Sequence, residues 1–214
     1  MSGAKDATIA ETYKDRINAL RNGGGRKILG IVGPPGCGKS TLAAALLELL
    51  GDDAVAVPMD GYHLANVELA RLGRAGRKGA EDTFDSAGYV SLLRRLKNQQ
   101  ANEIVYAPEF RREIEEPIAN AIPVFPETQL VITEGNYLLL DHGHWAGISD
   151  LLDEIWYVDI DHSIRRERLV KRHMHFGRSQ SAAEDWVANT DEPNAVRIEA
   201  TKHRADVLFN WEGE

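Results

Sequence analysis

A single cysteine, Cys37, stands in 214 residues. An internal disulfide is impossible, and a reducing, cytoplasmic setting is the expectation. Positive charge is also short: Lys and Arg number 25 against 33 Asp and Glu, a formal net charge of −8. That balance argues against nucleic acid or an anionic membrane as a general partner, but leaves room for local basic clusters that bind a phosphorylated small molecule. Long apolar runs are missing. The most continuous one, LAAALLELL at 42–50, is too short for a membrane span and contains Glu48. The opening MSGAKDATIAETYKDR has no apolar core followed by a cleavage site, so no signal peptide is expected. Internal repeats and low-complexity tracts are absent too. With 43% hydrophobic and 27% charged residues, the composition suits an ordinary globular chain with one sizeable core or at most two small ones.

What is present is an alternation. Thr8 and Glu11 have capping-box spacing, followed by Tyr13, Ile17 and Leu20 on one helical face and a stop at NGGG, 22–25. Apolar runs at 27–33, 54–59, 103–108, 129–135, 154–160 and 206–211 read as strands. Helices are expected at 40–51, closed by Gly51; at 86–98, capped by Ser86; at 161–176; and at 181–189 and 191–204. The strands are near-continuous apolar runs, which predicts a parallel sheet covered on both faces. Ligands of such sheets bind beyond the carboxyl ends of the strands. Asp60 and Glu134 lie at two of those ends.

The segment GPPGCGKST, 33–41, fits G-x-x-x-x-G-K-[ST] at every fixed position and sits between a strand and a helix. Glycines let the backbone curl so that successive N–H groups face phosphate oxygens, and the helix start adds the positive end of its dipole. Lys39 supplies a point charge for the β- and γ-phosphates and Ser40 a hydroxyl for Mg²⁺. The expected nucleotide contacts are Gly33, Pro35, Gly36, Cys37, Gly38, Lys39, Ser40 and Thr41. Cys37 reads as a small filler whose thiol, if exposed at the helix N-terminus, is oxidation-sensitive.

A phosphate cradle does not by itself separate a kinase from a GTPase or a mechanical ATPase. Three features favour a kinase. Asp60 ends a strand expected near the cradle strand, where a carboxylate can orient and deprotonate an acceptor hydroxyl; otherwise it is a plain Asp-Gly turn. Glu134 ends the apolar run VITEG, a position suited to holding Mg²⁺. The helix at 163–179 carries Arg165, Arg166, Arg168, Lys171, Arg172 and Arg178, with Arg165, Arg168 and Arg172 at i, i+3, i+7. Such a face can close over a triphosphate with Gly177 as its hinge, or stand as a solvated charged helix. No N-K-x-D reads guanine and no L-S-G-G-Q-like segment appears; DSAG at 85–88 fits D-x-x-G but opens a helix and is taken as chance. A nucleotide-dependent switch or chaperone acting on a protein partner is the alternative. A fold that has lost its chemistry is disfavoured by intact Lys39, Ser40, Asp60 and Glu134.

The cradle, the strand ending in Asp60, RKGAEDTFD (77–85), VITEGNYLL, the arginine helix and TKHRADVL (201–208) occur in an order that resembles the uridine kinase, phosphoribulokinase and bacterial pantothenate kinase branch of P-loop kinases over residues 26–211. The closest likeness is to bacterial nucleoside/nucleotide kinase family proteins, some described as kinases associated with fructose transport. The resemblance implies a three-layer α/β P-loop NTPase fold, with a mostly parallel sheet and a small helical lid. It implies a kinase dependent on ATP and Mg²⁺ that phosphorylates a hydroxyl of a small nucleoside-, pantothenate- or sugar-like metabolite. By it, Asp60 is the catalytic base, Lys39, Ser40 and Glu134 serve ATP and Mg²⁺, and Arg168 and Arg172 are lid arginines. The expected organisation is an N-terminal helix, 1–24, packed on a single kinase domain, 25–214, with the lid at about 163–190. Family members that take uridine or cytidine place an aromatic and a histidine after the middle strand. YAPEFRREIEEP (106–117) has no histidine, which argues against a pyrimidine nucleoside. Tyr62, His63, Lys78, Tyr106, Phe110, Arg111 and Asn136 are the candidate acceptor contacts, with Arg77 nearby and Arg111 suited to an anionic or heavily hydroxylated acceptor. Monomer and homodimer both remain open.

Overall fold

Lys27–Val32 form strand β1, and its run is apolar from Ile28 onward because both of its faces are covered. Ile28 and Val32 enter the core on one side of the sheet, Leu29 and Ile31 the core on the other. The structure, a computed structural model, describes residues 8–211. Within it the remaining elements are helix α1 (Glu11–Arg21), α2 (Lys39–Leu50), β2 (Ala54–Ala56), α3 (Asn66–Arg71), α4 (Ser86–Lys97), β3 (Val105–Arg111), β4 (Glu116–Val124), β5 (Leu130–Gly135), β6 (Glu154–Val158), α5 (His162–His175), α6 (Gln180–Trp186), α7 (Glu192–Glu199) and β7 (Val207–Phe209). Residues 1–7 of the expected N-terminal segment and 212–214 of the expected main domain lie outside the described residues.

Five strands form one parallel sheet in the order β2-β5-β1-β6-β7. The expected α/β architecture, a mostly parallel sheet with helices on both faces, is therefore observed. The expected adjacency is not. β5 lies between β1 and β2, so the strand that leads to Asp60 stands two places from the cradle strand, and Glu134 is on the immediate neighbour.

One face of the sheet is covered by α1 and α2, through Ile17, Leu42, Leu46 and Leu50 packed with Trp156 and Phe209. Tyr13 anchors α1 there: its ring meets Phe209 at 4.7 Å between centroids, and its hydroxyl donates to the carbonyl of Leu208 at 3.0 Å. The other face is covered by α4, the segment after β5 and α7, through Tyr89, Leu93, Leu96, Leu138, Trp145 and Ile198. Among the described residues no helix is long and apolar enough to cross a membrane.

Several local expectations are corrected. The N-cap of α1 is Ala10, with no side-chain hydrogen bond, because Glu11 already occupies the first helical position. The N-cap of α4 is Asp85, not Ser86: its Oδ1 accepts the Gly88 N–H at 2.8 Å. That bond accounts for the D-x-x-G spacing at 85–88. The helices expected at 181–189 and 191–204 are α6 and α7 joined by a π-helical turn, Val187–Asp191, and a separate 3₁₀ turn follows at Lys202–Arg204.

The run 103–108 is indeed extended, but β3 is not in the parallel sheet. It pairs antiparallel with β4 in a separate two-stranded sheet. β4 was not expected from the sequence, because Pro117 and Pro123 donate no ladder bonds and Asn120 takes a left-handed φ of 59°. The register shifts between Ala107 and Glu109: β4 advances from Ile122 to Ile118 over the same step, so it bulges around Asn120, opposite Pro108.

Candidate active site

The loop between β1 and α2 carries two left-handed glycines, Gly36 at φ 81° and Gly38 at φ 98°. A β-carbon would strain both positions. Gly38 is the N-cap of α2, and no side chain caps that helix, so its first N–H groups stay directed at the mouth of the loop. Lys39 is buried, and its Nζ donates to the carbonyls of Gly33 at 3.0 Å and Pro34 at 3.3 Å. The ammonium thus sits inside the loop. Cys37 is fully buried beneath it, and that burial pushes the thiol pKa up. The exposed, oxidation-sensitive thiol considered from the sequence is excluded.

Ser40 Oγ donates to Glu134 Oε1 at 2.9 Å, joining the start of α2 to the end of β5. Glu134 is only 8% exposed. Its pKa is raised, first by burial and then by the Asp60 carboxylate, against the opposing pull of Lys39 and the Ser40 hydroxyl. A hydroxyl and a carboxylate oxygen are hard donors suited to Mg²⁺, which keeps water and phosphate oxygens in its remaining positions. Among the described residues no cluster of three or more His, Cys, Asp or Glu builds an all-protein metal cage.

Asp60 is delivered by a turn rather than by a strand end. β2 stops at Ala56, although the Val57 N–H still bonds to the Ile132 carbonyl at 2.8 Å. The chain then coils through a 3₁₀ turn, Met59–Tyr62. Two glycines fix this turn by close approach: a methyl group on Gly135 would lie 2.7 Å from the Met59 side chain, and one on Gly61 would overlap the carbonyl oxygen of Pro108. The turn is held between the end of β5 and the bulged hairpin. The Asp-Gly pair that looks like an ordinary turn is therefore a packed one.

At the tip of that hairpin, Arg112 Nη2 donates to Asp60 Oδ2 at 3.3 Å. His63 Nδ1 lies 2.8 Å from the Asp60 carbonyl oxygen and 4.0 Å from its Oδ1. The imidazole packs between Phe84 and Phe110, with centroids 4.0 and 4.6 Å away. Burial lowers the pKa of His63, with Asp60 pulling the other way.

Lys39, Ser40, Asp60 and Glu134 line one crevice of about 520 Å³, together with His63, Lys78, Phe110, Arg112, Asn136 and Arg172. Of the expected residues, Pro35 and Gly36 also line it. Others stand apart. Tyr62 packs against Tyr89 at 5.4 Å, and burial pushes its pKa to about 12. Tyr106 is exposed on β3, Arg111 pairs with Glu109 at 2.9 Å, and Arg77 pairs with Asp82. The three helix arginines are not equivalent. Arg165 is fully buried, donating to Glu192 at 2.6 Å and to the loop carbonyl of Pro35 at 3.4 Å. A methyl group at Gly38 would lie 4.0 Å from Arg168 Nη1, which puts Arg168 beside the start of α2. Arg172 faces the crevice, where burial first and Arg112 second lower its pKa.

Sequence reasoning weighted Arg111, and the structure turns Arg112 inward instead. It also gave no notice of Trp186, which lines the crevice under the guanidinium of Arg178, 3.9 Å from the ring centroid, or of His173, whose Nε2 lies 2.8 Å from Asp191 Oδ2. The cation–aromatic pair at positions 178 and 186 is too far apart in sequence to be read from helical spacing.

Residues 28–213 match the model of the Phosphoribulokinase / Uridine kinase family. A Schizosaccharomyces pombe protein described as a candidate uridine kinase is 34% identical over 88% of this chain and 83% of its own length. An uncharacterized Escherichia coli protein is 32% identical over 88% of this chain and 79% of its own. The crystal structure of a candidate fructose transport system kinase from Silicibacter superposes with a TM-score of 0.84 at 37% identity, covering 94% of this chain and 98% of that one.

Proposed function

The chain belongs to the Phosphoribulokinase / Uridine kinase family and is a phosphotransferase with an alcohol as acceptor; from that premise we propose that it transfers the γ-phosphate of ATP, with Mg²⁺, to a hydroxyl of a small metabolite. The observation that carries this reading is one crevice lined jointly by the phosphate-loop residues Lys39 and Ser40, by Glu134 and by Asp60.

The triphosphate lies along the loop, where the first N–H groups of α2 and the Lys39 ammonium meet its oxygens. Its arrival replaces the Gly33 and Pro34 carbonyls as partners of Lys39. Ser40 and Glu134 hold the Mg²⁺, which neutralises charge on the phosphates when bound. Asp60 orients the acceptor hydroxyl and takes its proton as the new O–P bond forms and the bond from Pγ to the leaving ADP oxygen breaks. The acceptor's proton ends on Asp60 and the electron pair on ADP. Arg172 and Arg168, on a lid formed by α5 and α6, steady the charge of the transferred group. His63, kept neutral by its apolar surroundings, supports Asp60 from behind. Arg165 acts beneath the loop as a strut, not as part of the lid.

The test is ADP release in the presence of ATP and Mg²⁺, alone and with pooled sugars, nucleosides, pantothenate and hydroxy acids, with the phosphorylated product weighed by mass spectrometry. Strong stimulation by a small molecule, with the matching product, is the expected result. Stimulation by protein fractions alone would replace this reading with that of a nucleotide-driven switch.

A further inference from the structure

The acceptor side of the crevice carries cations that the phosphate loop does not use. Lys78 Nζ donates to Asn66 Oδ1 at 2.7 Å and to the Glu115 carbonyl, and it stands 5.1 Å from the Phe110 ring centroid. These contacts hold the ammonium in place beside the aromatic wall of His63, Phe84 and Phe110. Arg112 reaches in from the hairpin tip, and among the described residues its one hydrogen-bond partner is Asp60, met through Nη2 alone. Arg172 faces the same space from α5, close enough that the two guanidiniums repel. Three cations thus converge on a crevice in which Asp60 already has a second task.

A guanidinium is a rigid fork with five donors. One prong of Arg112 on Asp60 leaves an edge shaped for a planar or tetrahedral oxyanion, the geometry that Arg binds in bidentate fashion. We infer that Arg112, assisted by Lys78, recognises an anionic group on the acceptor, so that the substrate is a small hydroxylated anion, a hydroxy carboxylate or a sugar phosphate. This rests on the kinase reading above and narrows it.

Geometry also limits the size of that molecule. An oxyanion on the outer edge of Arg112 and a hydroxyl on Asp60 are linked through three hydrogen bonds and the width of one guanidinium, at most about 11 Å along that path. The acceptor is therefore a small molecule. Recognition and activation are linked. While the site holds no anion, Arg112 neutralises Asp60. An anion on the outer edge shares the guanidinium with Asp60, weakens its hold on the carboxylate and lets Asp60 accept a proton more readily.

The experiment compares matched pairs by initial rate of ADP release: glycerate with glycerol, ribose 5-phosphate with ribose, gluconate with glucose. The wild-type chain should favour the anionic member of at least one pair, through its KM. Arg112→Gln should lower the anionic-to-neutral ratio of kcat/KM by about 10- to 100-fold, the worth of a charge-assisted hydrogen bond, and Arg112→Lys should restore part of it. Carboxylate and phosphate members tell the two sources of anion apart. Turnover confined to neutral members, turnover of none of the anionic ones, or an equal loss on both members of a pair in Arg112→Gln would overturn the inference. In the neutral-only case the kinase reading survives. If no small molecule stimulates ADP release, the kinase reading itself falls.

Discussion

Ser40 Oγ and Glu134 Oε1 stand 2.9 Å apart, although 94 residues separate them in the chain. The bond ties the first turn of α2 to the end of β5, the strand that pairs directly with β1. It is the point at which the phosphate loop and the carboxylate row of the sheet become one site. Asp60 enters from the next strand out, through a turn clamped by the hairpin.

Asp60→Asn keeps the size and the hydrogen bond to Arg112 but removes the proton acceptor. Turnover on the true acceptor should fall by about 10²-fold or more, while the affinity for ATP is retained. Steady-state rates paired with nucleotide titration check it. Full turnover with Asn at this position would remove Asp60 from the base role.

Glu134 gives a pH signature with a definite sign. Its folded pKa is raised by burial and by Asp60, so the fold favours the protonated form. The stabilisation is complete below the unfolded pKa and is lost as pH rises through the raised folded value. At neutral pH the ionised side chain is therefore a cost, which Glu134→Gln removes. The variant should melt higher than wild type near pH 7 and converge with it toward about pH 4. Melting curves across that range decide the matter; a variant less stable at neutral pH would contradict the environment described for Glu134.

Gly61→Ala drives a methyl group into the Pro108 carbonyl. The hairpin must move, at a cost of about 1 to 3 kcal/mol. Because that hairpin carries Arg112 to Asp60, activity should fall along with the urea midpoint. A substitution without effect on either would mean that the turn and the hairpin are not in contact.

Arg165→Met retains volume and deletes the charge. It leaves Glu192 without its partner and the Pro35 carbonyl without its donor. Breaking a fully buried pair costs about 3 to 5 kcal/mol. Glu192 keeps 28% of its side chain in solvent, so about 2 kcal/mol is expected, read as a lower urea midpoint at constant slope. A surface lid arginine would show almost none of this, so a negligible shift would return Arg165 to the solvated face considered from the sequence.

Much of the architecture was legible because it is locally encoded. β1, β5 and β6 are apolar on both faces, and that alone marks strands sandwiched between helix layers. The phosphate loop was legible for the same reason: left-handed backbone at Gly36 and Gly38 is written into residue type. The hairpin was half hidden. β4 is only partly buried and proline-interrupted, and a two-stranded sheet has no apolar period to reveal it. The arginine helix was misassigned in part, since i, i+3, i+7 spacing says which residues share a face but not what that face meets. Arg165 meets the underside of the loop and Arg172 the crevice.

By itself the sequence determined the phosphate loop, the strand–helix alternation and the identities of the acids beyond the strand ends, all set by steric limits and periodicities within a few residues. Only the tertiary structure decided that β5 intervenes between β1 and β2, that a turn rather than a strand end carries Asp60, and that Arg112 instead of Arg111 faces it. Those choices depend on strand order and on a bulge of β4 opposite Pro108 in a hairpin some 50 residues from Asp60, and contacts over such separations are fixed by packing of the whole chain, not by any local preference.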